Sequence, residues 1–197
     1  MTDPITASNI VAQAFLHMEL APLSSIDEDT PQAADARRTY PEALRMCLEQ
    51  SDWSFASTLV NLAEAEALDP PLAVDAEHPH AYVLPGDLVA LREVGDSFTR
   101  WRLDRGILRA SVPQPLRLRY TAFVASEAGM TATFRTAIAL QLALLMGPRW
   151  LTTQTKRDQI AGELREVLAR ANRNDARNAS PQGWGGQSGD WVTGAIL

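Results

Sequence analysis

The residues whose chemistry would matter first are few. Three histidines and one cysteine stand in 197 residues. His78-Pro79-His80 is the one histidine cluster, and His17 falls on a predicted helix. A metal centre would need further ligands at definite spacing, and proline stiffens this pair, so a surface loop is expected. Asp27-Glu28-Asp29 has the charge for a cation. Calcium loops, however, alternate their ligands around a fixed glycine, which this stretch does not have. It reads as a solvated acidic loop. Cys47 sits on an apolar helical face and reads as a small core residue rather than a nucleophile. No Gly-x-Ser-x-Gly elbow, phosphate loop, dinucleotide fingerprint or His-Glu-x-x-His stands in the sequence. The expectation is a protein without catalysis, cofactor or metal.

The cations carry more information. Lys156 is the single lysine, against seventeen arginines. Arginine pairs carboxylates through a planar fork and stacks on aromatic rings. A GC-rich coding sequence explains such usage, and so does an arginine-rich protein interface. Arg92, Arg100, Arg102, Arg105, Arg109, Arg117 and Arg119 concentrate in one stretch. On extended chain Arg100 and Arg102 share a face, as do Arg117 and Arg119. Two readings of that pattern stand: a solvated sheet face, or a face made to meet acidic groups on another subunit.

The elements that must position these residues follow from periodicity. Ile10, Val11, Ala14, Phe15 and Met18 recur at three-to-four spacing and predict a helix over about 5–21, closed by Pro22. Thr30 then caps a second helix over about 31–50, with Pro31 at its first position. Ala33, Ala36, Tyr40, Leu44, Cys47 and Leu48 form its apolar face, and Pro41 inside it predicts a kink or a fresh start. From about 57 to 123 prolines multiply and short apolar runs alternate with polar residues. Strands are expected at Tyr82–Leu84, Leu88–Val94, Arg100–Leu103, Ile107–Ala110 and Leu116–Tyr120, with tight turns at Asp104-Arg105-Gly106 and Gly95-Asp96. Helical periodicity returns over about 127–147 and again over about 152–175. The fold class is therefore α+β, mainly α: a helical bundle with a small inserted antiparallel β region and an extended tail. Residues 1–177 read as one domain.

From Asn178 to Leu197 the chain turns to Gly, Ser, Asn and Gln, broken by Trp184 and Trp191. Tryptophan is over-represented among binding hot spots, so this tail is expected to order against another chain. Composition narrows the field further. A hydrophobic share of 46% and a charged share of 21% are those of a globular protein. The longest apolar run, Ile138 to Met146, is too short for a membrane span and stops at Gly147-Pro148. The first residues show no basic-then-apolar secretion signal. A net charge of -6 argues against a general DNA-coating role, because phosphate neutralisation needs clustered positive charge.

Three ordered motifs resemble a known family. Tyr40, Pro41 and Leu48 lead into a Trp53-Ser54-Phe55-Ala56 corner; Leu84-Pro85-Gly86-Asp87 enters the β region; Leu116 to Tyr120 returns to Phe134 and an Ala/Leu-rich helix. This order resembles the head-to-tail adaptors, or connectors, of tailed phages, the tail tubular protein A group included, and those of the related gene transfer agents. The pattern departs from the family near the N-terminus, where a frequent Leu-Gly pair is replaced within Met18-Glu19-Leu20-Ala21. The resemblance implies a virion component at the head–tail junction, assembled in the bacterial cytoplasm. Copies would form a homo-oligomeric ring, commonly a dodecamer, between the portal protein and the next tail or stopper component, with DNA passing through unread. Tyr40, Trp53 and Phe55 would then form a structural corner, set between the helices and the β region. Trp184, Trp191, Arg100, Arg102, Arg117 and Arg119 would meet partners, and the acidic stretches at Asp27–Asp29, Glu64–Glu66 and Asp75–Glu77 would face the arginine strands of a neighbour. The alternative is a soluble helical module that binds a partner or ligand.

Overall fold

The computed structural model describes residues 7–65, 75–124, 126–151 and 153–179. Among them the chain is α+β, with four α-helices and two small antiparallel sheets. The first helix, α1 (Ala7–His17), buries the expected Ile10, Val11, Ala14 and Phe15. It ends four residues short of the expected boundary, and the backbone shows why. Leu20 N–H donates to Phe15 O at 2.9 Å and Glu19 N–H to Leu16 O at 3.0 Å, the paired closure of a left-handed helix cap. Glu19 holds the left-handed position, with φ +61°.

The second helix, α2 (Pro31–Glu49), begins as expected: Thr30 Oγ1 accepts from Ala33 N–H at 3.1 Å, with Pro31 in the first turn. It then runs through Pro41 as one element, so the fresh start expected near Tyr40 does not occur. A 3₁₀ turn (Ser54–Ala56) leads into strand β1 (Ser57–Leu62), which the sequence pattern did not single out. Strands β2 (His80–Val83), β3 (Leu88–Val94), β4 (Trp101–Asp104), β5 (Ile107–Ala110) and β6 (Leu116–Ala122) follow close to their expected places. A 3₁₀ turn at Glu127–Gly129 occupies the start of the helix expected from 127, and α3 proper spans Ala132–Trp150, with Thr131 Oγ1 accepting from Phe134 N–H.

Two helix ends are corrected. Gly147-Pro148 does not stop α3, because a proline in the last turn forfeits one backbone bond and Leu151 N–H still reaches Gly147 O at 2.8 Å. Helix α4 covers Gln154–Ala179, so it takes in Asn178 and Ala179, where the tail was expected to begin.

The β region is not a single layer. One sheet has the order β1-β6-β3, the other β2-β5-β4, and the chain passes repeatedly between them. Alternation then gives each sheet an inward face. Leu116, Leu118, Tyr120 and Val94 come from the first, Tyr82, Leu108 and Ala110 from the second, and together they form a hydrophobic cluster of their own. The helices bury a separate and larger cluster, against which Val89 and Phe123 of the β region also pack. The β4–β5 hairpin turns through Arg105 (φ +52°) and Gly106 (φ +81°), the two positive angles that match strand twist in a two-residue turn.

Candidate functional site

The corner is built around three rings. Trp53 is 1% exposed; its ring centroid lies 4.7 Å from Phe134 and 6.0 Å from Phe55, and Phe55 closes on Phe134 edge-on at 4.9 Å. The two tilted pairs, both on Phe134, set ring edges against ring faces. Trp53 Nε1–H donates to Cys47 O at 3.0 Å, so the buried indole is satisfied by the last turn of α2. Trp53 therefore belongs to the cluster that the helices bury and on which Val89 and Phe123 of the β region also pack. Tyr40 is also buried, and its hydroxyl donates to Glu127 at 2.8 Å. Burial, together with that carboxylate, pushes the Tyr40 phenol far above its ordinary pKa. Burial likewise pushes the Cys47 thiol up to about 12, which fits a core residue and not a nucleophile.

One arginine bonds the β region directly to the end of α2. Arg92 on β3 donates through Nε to Thr121 Oγ1 at 2.8 Å, and its Nη2 reaches the carbonyls of Leu48 and Ser51 at 3.3 and 2.5 Å. A guanidinium thus serves the unpaired carbonyls at the C-terminus of α2, where the helix dipole favours positive charge. The sequence placed Arg92 in the arginine run without showing this role.

Of the four arginines expected to meet partners, two have carboxylates within the chain. Arg102 grips Asp104 through both Nε and Nη2, at 3.0 and 2.9 Å, and lies 2.9 Å from Asp75. Arg119 spans Asp52 and Glu93, with Glu93 at 3.0 Å. Arg100 and Arg117 are exposed. Arg109, between them in the run, is buried with its Nε 3.2 Å from Asp104. The acidic stretches are engaged likewise. Glu28 accepts from the backbone N–H of Ser24 and Ser25, and Glu64 meets His80 at 3.0 Å. Asp75 meets His78 at 3.3 Å as well as Arg102. Charges expected to complement one another between subunits, Asp75 and Arg102, do so within one. His78 and His80 each take a carboxylate, His17 lies 3.9 Å from Glu163, and among the described residues no cluster of three or more metal-ligating side chains occurs. Trp184 and Trp191 lie outside the described residues.

Apolar side chains also face outward in this region. Phe98 is 88% exposed, Leu103 47% and Trp101 43%, all within the loop after β3 and the edge strand β4. The loop that carries Phe98 is firmly made. Asp96 Oδ1 accepts from Phe98 N–H at 3.0 Å and from Thr99 Oγ1–H at 2.8 Å, and Thr99 Oγ1 accepts from Asp96 N–H at 3.1 Å. Gly95 makes the turn at φ +63°, where a Cβ would stand 2.3 Å from Thr99 Oγ1. Beside it opens a hollow of about 390 Å³ lined by Glu93, Val94, Gly95, Asp96, Ser97 and Arg117. Sequence reasoning marked the arginines of this region and missed the aromatic strip between them, although Phe98, Trp101 and Leu103 fall at the spacing of one strand face and its approach.

No described helix is long and apolar enough to cross a membrane. No family model matches this chain, and no curated protein matches it.

Proposed function

We propose that this protein is a structural head–tail adaptor: a ring subunit seated between a portal and the tail of a phage or phage-like gene transfer particle, around a passage for DNA. The observation that carries the reading is at Glu19. The sequence departs from the adaptor pattern where a Leu-Gly pair is frequent, and within that stretch Glu19 adopts a left-handed backbone, φ +61°, which glycine occupies without strain. A left-handed residue is thus present within the stretch where the family pattern has a glycine. Further support comes from the placement of the β region, which enters after the Trp53 corner and returns through β6 to α3, the order of the three motifs. The helices would act as a bundled wedge within the ring, with the β region turned to neighbours. Arg100, Arg117 and the aromatic strip offer contacts there, and Trp184 and Trp191 would dock on an adjoining component. A net charge of -6 suits a lumen through which DNA slides without sticking.

Particles made without this gene product test the reading. Filled heads with unattached tails, joined on adding the purified protein, are expected. Normal joining in its absence would overturn the adaptor role.

A further inference from the structure

Strand β4 has β5 on one side and, among the described residues, no strand on the other. The hydrogen-bond phase of its hairpin fixes what that open edge offers. Asp104 pairs with Ile107 across the two-residue turn, Arg102 with Arg109, and Ser111 N–H donates to Arg100 O at 2.9 Å. Residues flanking such a turn form a hydrogen-bonded pair, and bonding alternates along the ladder. Arg100, Arg102 and Asp104 therefore turn their backbone groups toward β5. Trp101 and Leu103 turn theirs outward, and an unpaired row of this kind is a template for another strand.

The side chains select the strand that fits. Suppose a second copy of β4 lies antiparallel along the first. Outward-turned residues must then face each other, which leaves few registers. Trp101 opposite Trp101 sets Arg100 against Arg102 of the second copy. Trp101 opposite Leu103 sets Arg102 against Arg102 on the axis itself, where the two guanidinium groups are forced together even though Arg100 then faces Asp104 on either side. Like charges directly opposite destabilise a pair of strands. Leu103 opposite Leu103 is different: no like charges stand opposite, Arg102 and Asp104, already bonded to each other within each strand, face Asp104 and Arg102 of the second copy, and Trp101 faces Arg105, twice. Opposite charges and a cation over an indole are both favourable cross-strand neighbours. Half-exposed Leu103 then covers its own counterpart on the axis.

We propose that β4 is a self-pairing edge, through which two copies of this chain associate about a two-fold axis at Leu103 and join their β2-β5-β4 sheets into one. The inference does not rest on the ring reading. An isologous contact closes at two copies, whereas a ring needs two different patches on each subunit. The pairing belongs to the free chain, where it covers the edge and the aromatic strip.

The test is sedimentation equilibrium of the full chain from about 10 to about 500 µM, since so short a strand covers less than the ~800 Å² per partner of a stable complex. A monomer–dimer equilibrium is expected. Leu103→Lys and Leu103→Glu, at an exposed position, should each sediment as monomers with unchanged melting temperature, because each sets like charge on like charge. An equal mixture should regain the dimer, Lys against Glu. A second variant, Arg105→Asn, suits the left-handed turn and removes the cation opposite Trp101, so it should raise the dissociation constant several-fold. A wild type that stays monomeric throughout, a mixture that stays monomeric, or variants that associate as the wild type does would each overturn the proposal.

Discussion

Asp175, near the end of α4, holds both polar groups of Ser54: one carboxylate oxygen lies 2.7 Å from the Ser54 backbone nitrogen and the other 2.7 Å from its hydroxyl oxygen. The carboxylate is buried, yet both its oxygens are bonded, so its desolvation is offset locally. The contact clamps the turn that carries Trp53 and Phe55 onto the last helix. It explains why so short a turn holds an indole deep in the core.

Trp53 is accordingly expected to dominate the stability of the helical core. Trp53→Ala should cost about 3–5 kcal/mol in chemical denaturation, as for large buried aromatics. Trp53→Phe should cost less, keeping most of the packing while leaving Cys47 O without its donor. Equal costs for the two would show that the ring's bulk contributes little.

Arg92→Ala should destabilise by about 1–3 kcal/mol, because it leaves carbonyls at the end of α2 and Thr121 Oγ1 without their donor. Arg92→Lys should recover only part of this, since one ammonium cannot serve both directions of the fork. Denaturation midpoints of the two variants give the comparison. Full recovery by lysine would mean that charge at the helix end matters more than geometry.

Glu19→Gly should raise the melting temperature. Glycine adopts φ +61° freely, whereas glutamate is held there against steric cost. The exposed pair of Glu19 with Lys156, which holds the Glu19 carboxyl below its ordinary pKa, would be lost. Exposed pairs contribute little, so the backbone term should win. A lower melting temperature would reverse that ranking.

Acid should loosen the β region at defined places. The hydrogen bond from Thr99 holds the Asp96 carboxyl below its ordinary value of 3.8. The Glu77 backbone N–H, with Arg102 nearby, does the same for Asp75. Both pKa values are depressed on folding, so both contributions are full above the unfolded value and fade as pH falls through the folded one. Amide exchange around 96–99 and 75–78, followed from neutral pH to below 3.8 and corrected for intrinsic rate, should lose protection in that acid window. Protection unchanged through it would show that these carboxylates do not hold their loops.

The helices were legible because their physics is local. Apolar spacing named the buried residues of α1 and, save Asp35 and Ala43, those of α2, and Thr30-Pro31 marked the start of α2. Asp104-Arg105-Gly106 gave its turn for the same reason. What stayed hidden depends on partners far along the chain. Strand β1 presents Leu59 outward, 60% exposed, so it carries no clean alternation. Two sheets rather than one arise because β6 returns between β1 and β3. The pairing of Asp75 with Arg102, and of Asp52 with Arg119, is likewise decided by that topology. Acidic and basic runs in a sequence look equally complementary within a subunit and between subunits.

The separation of the two hydrophobic clusters bears on how the chain is made. Helices α1 and α2 pack on α3, yet every strand of the β region is synthesised between them. At ~5–20 residues per second a ribosome needs several seconds to reach α3, and through that interval the apolar faces of the first two helices have no cover from it. The β region, whose cluster draws on its own strands, is complete before α3 emerges. It can therefore fold first and bring the two halves of the helical core within reach, replacing a long flexible loop with a short rigid one. A nascent chain stalled before α3 should consequently be the form most in need of a chaperone.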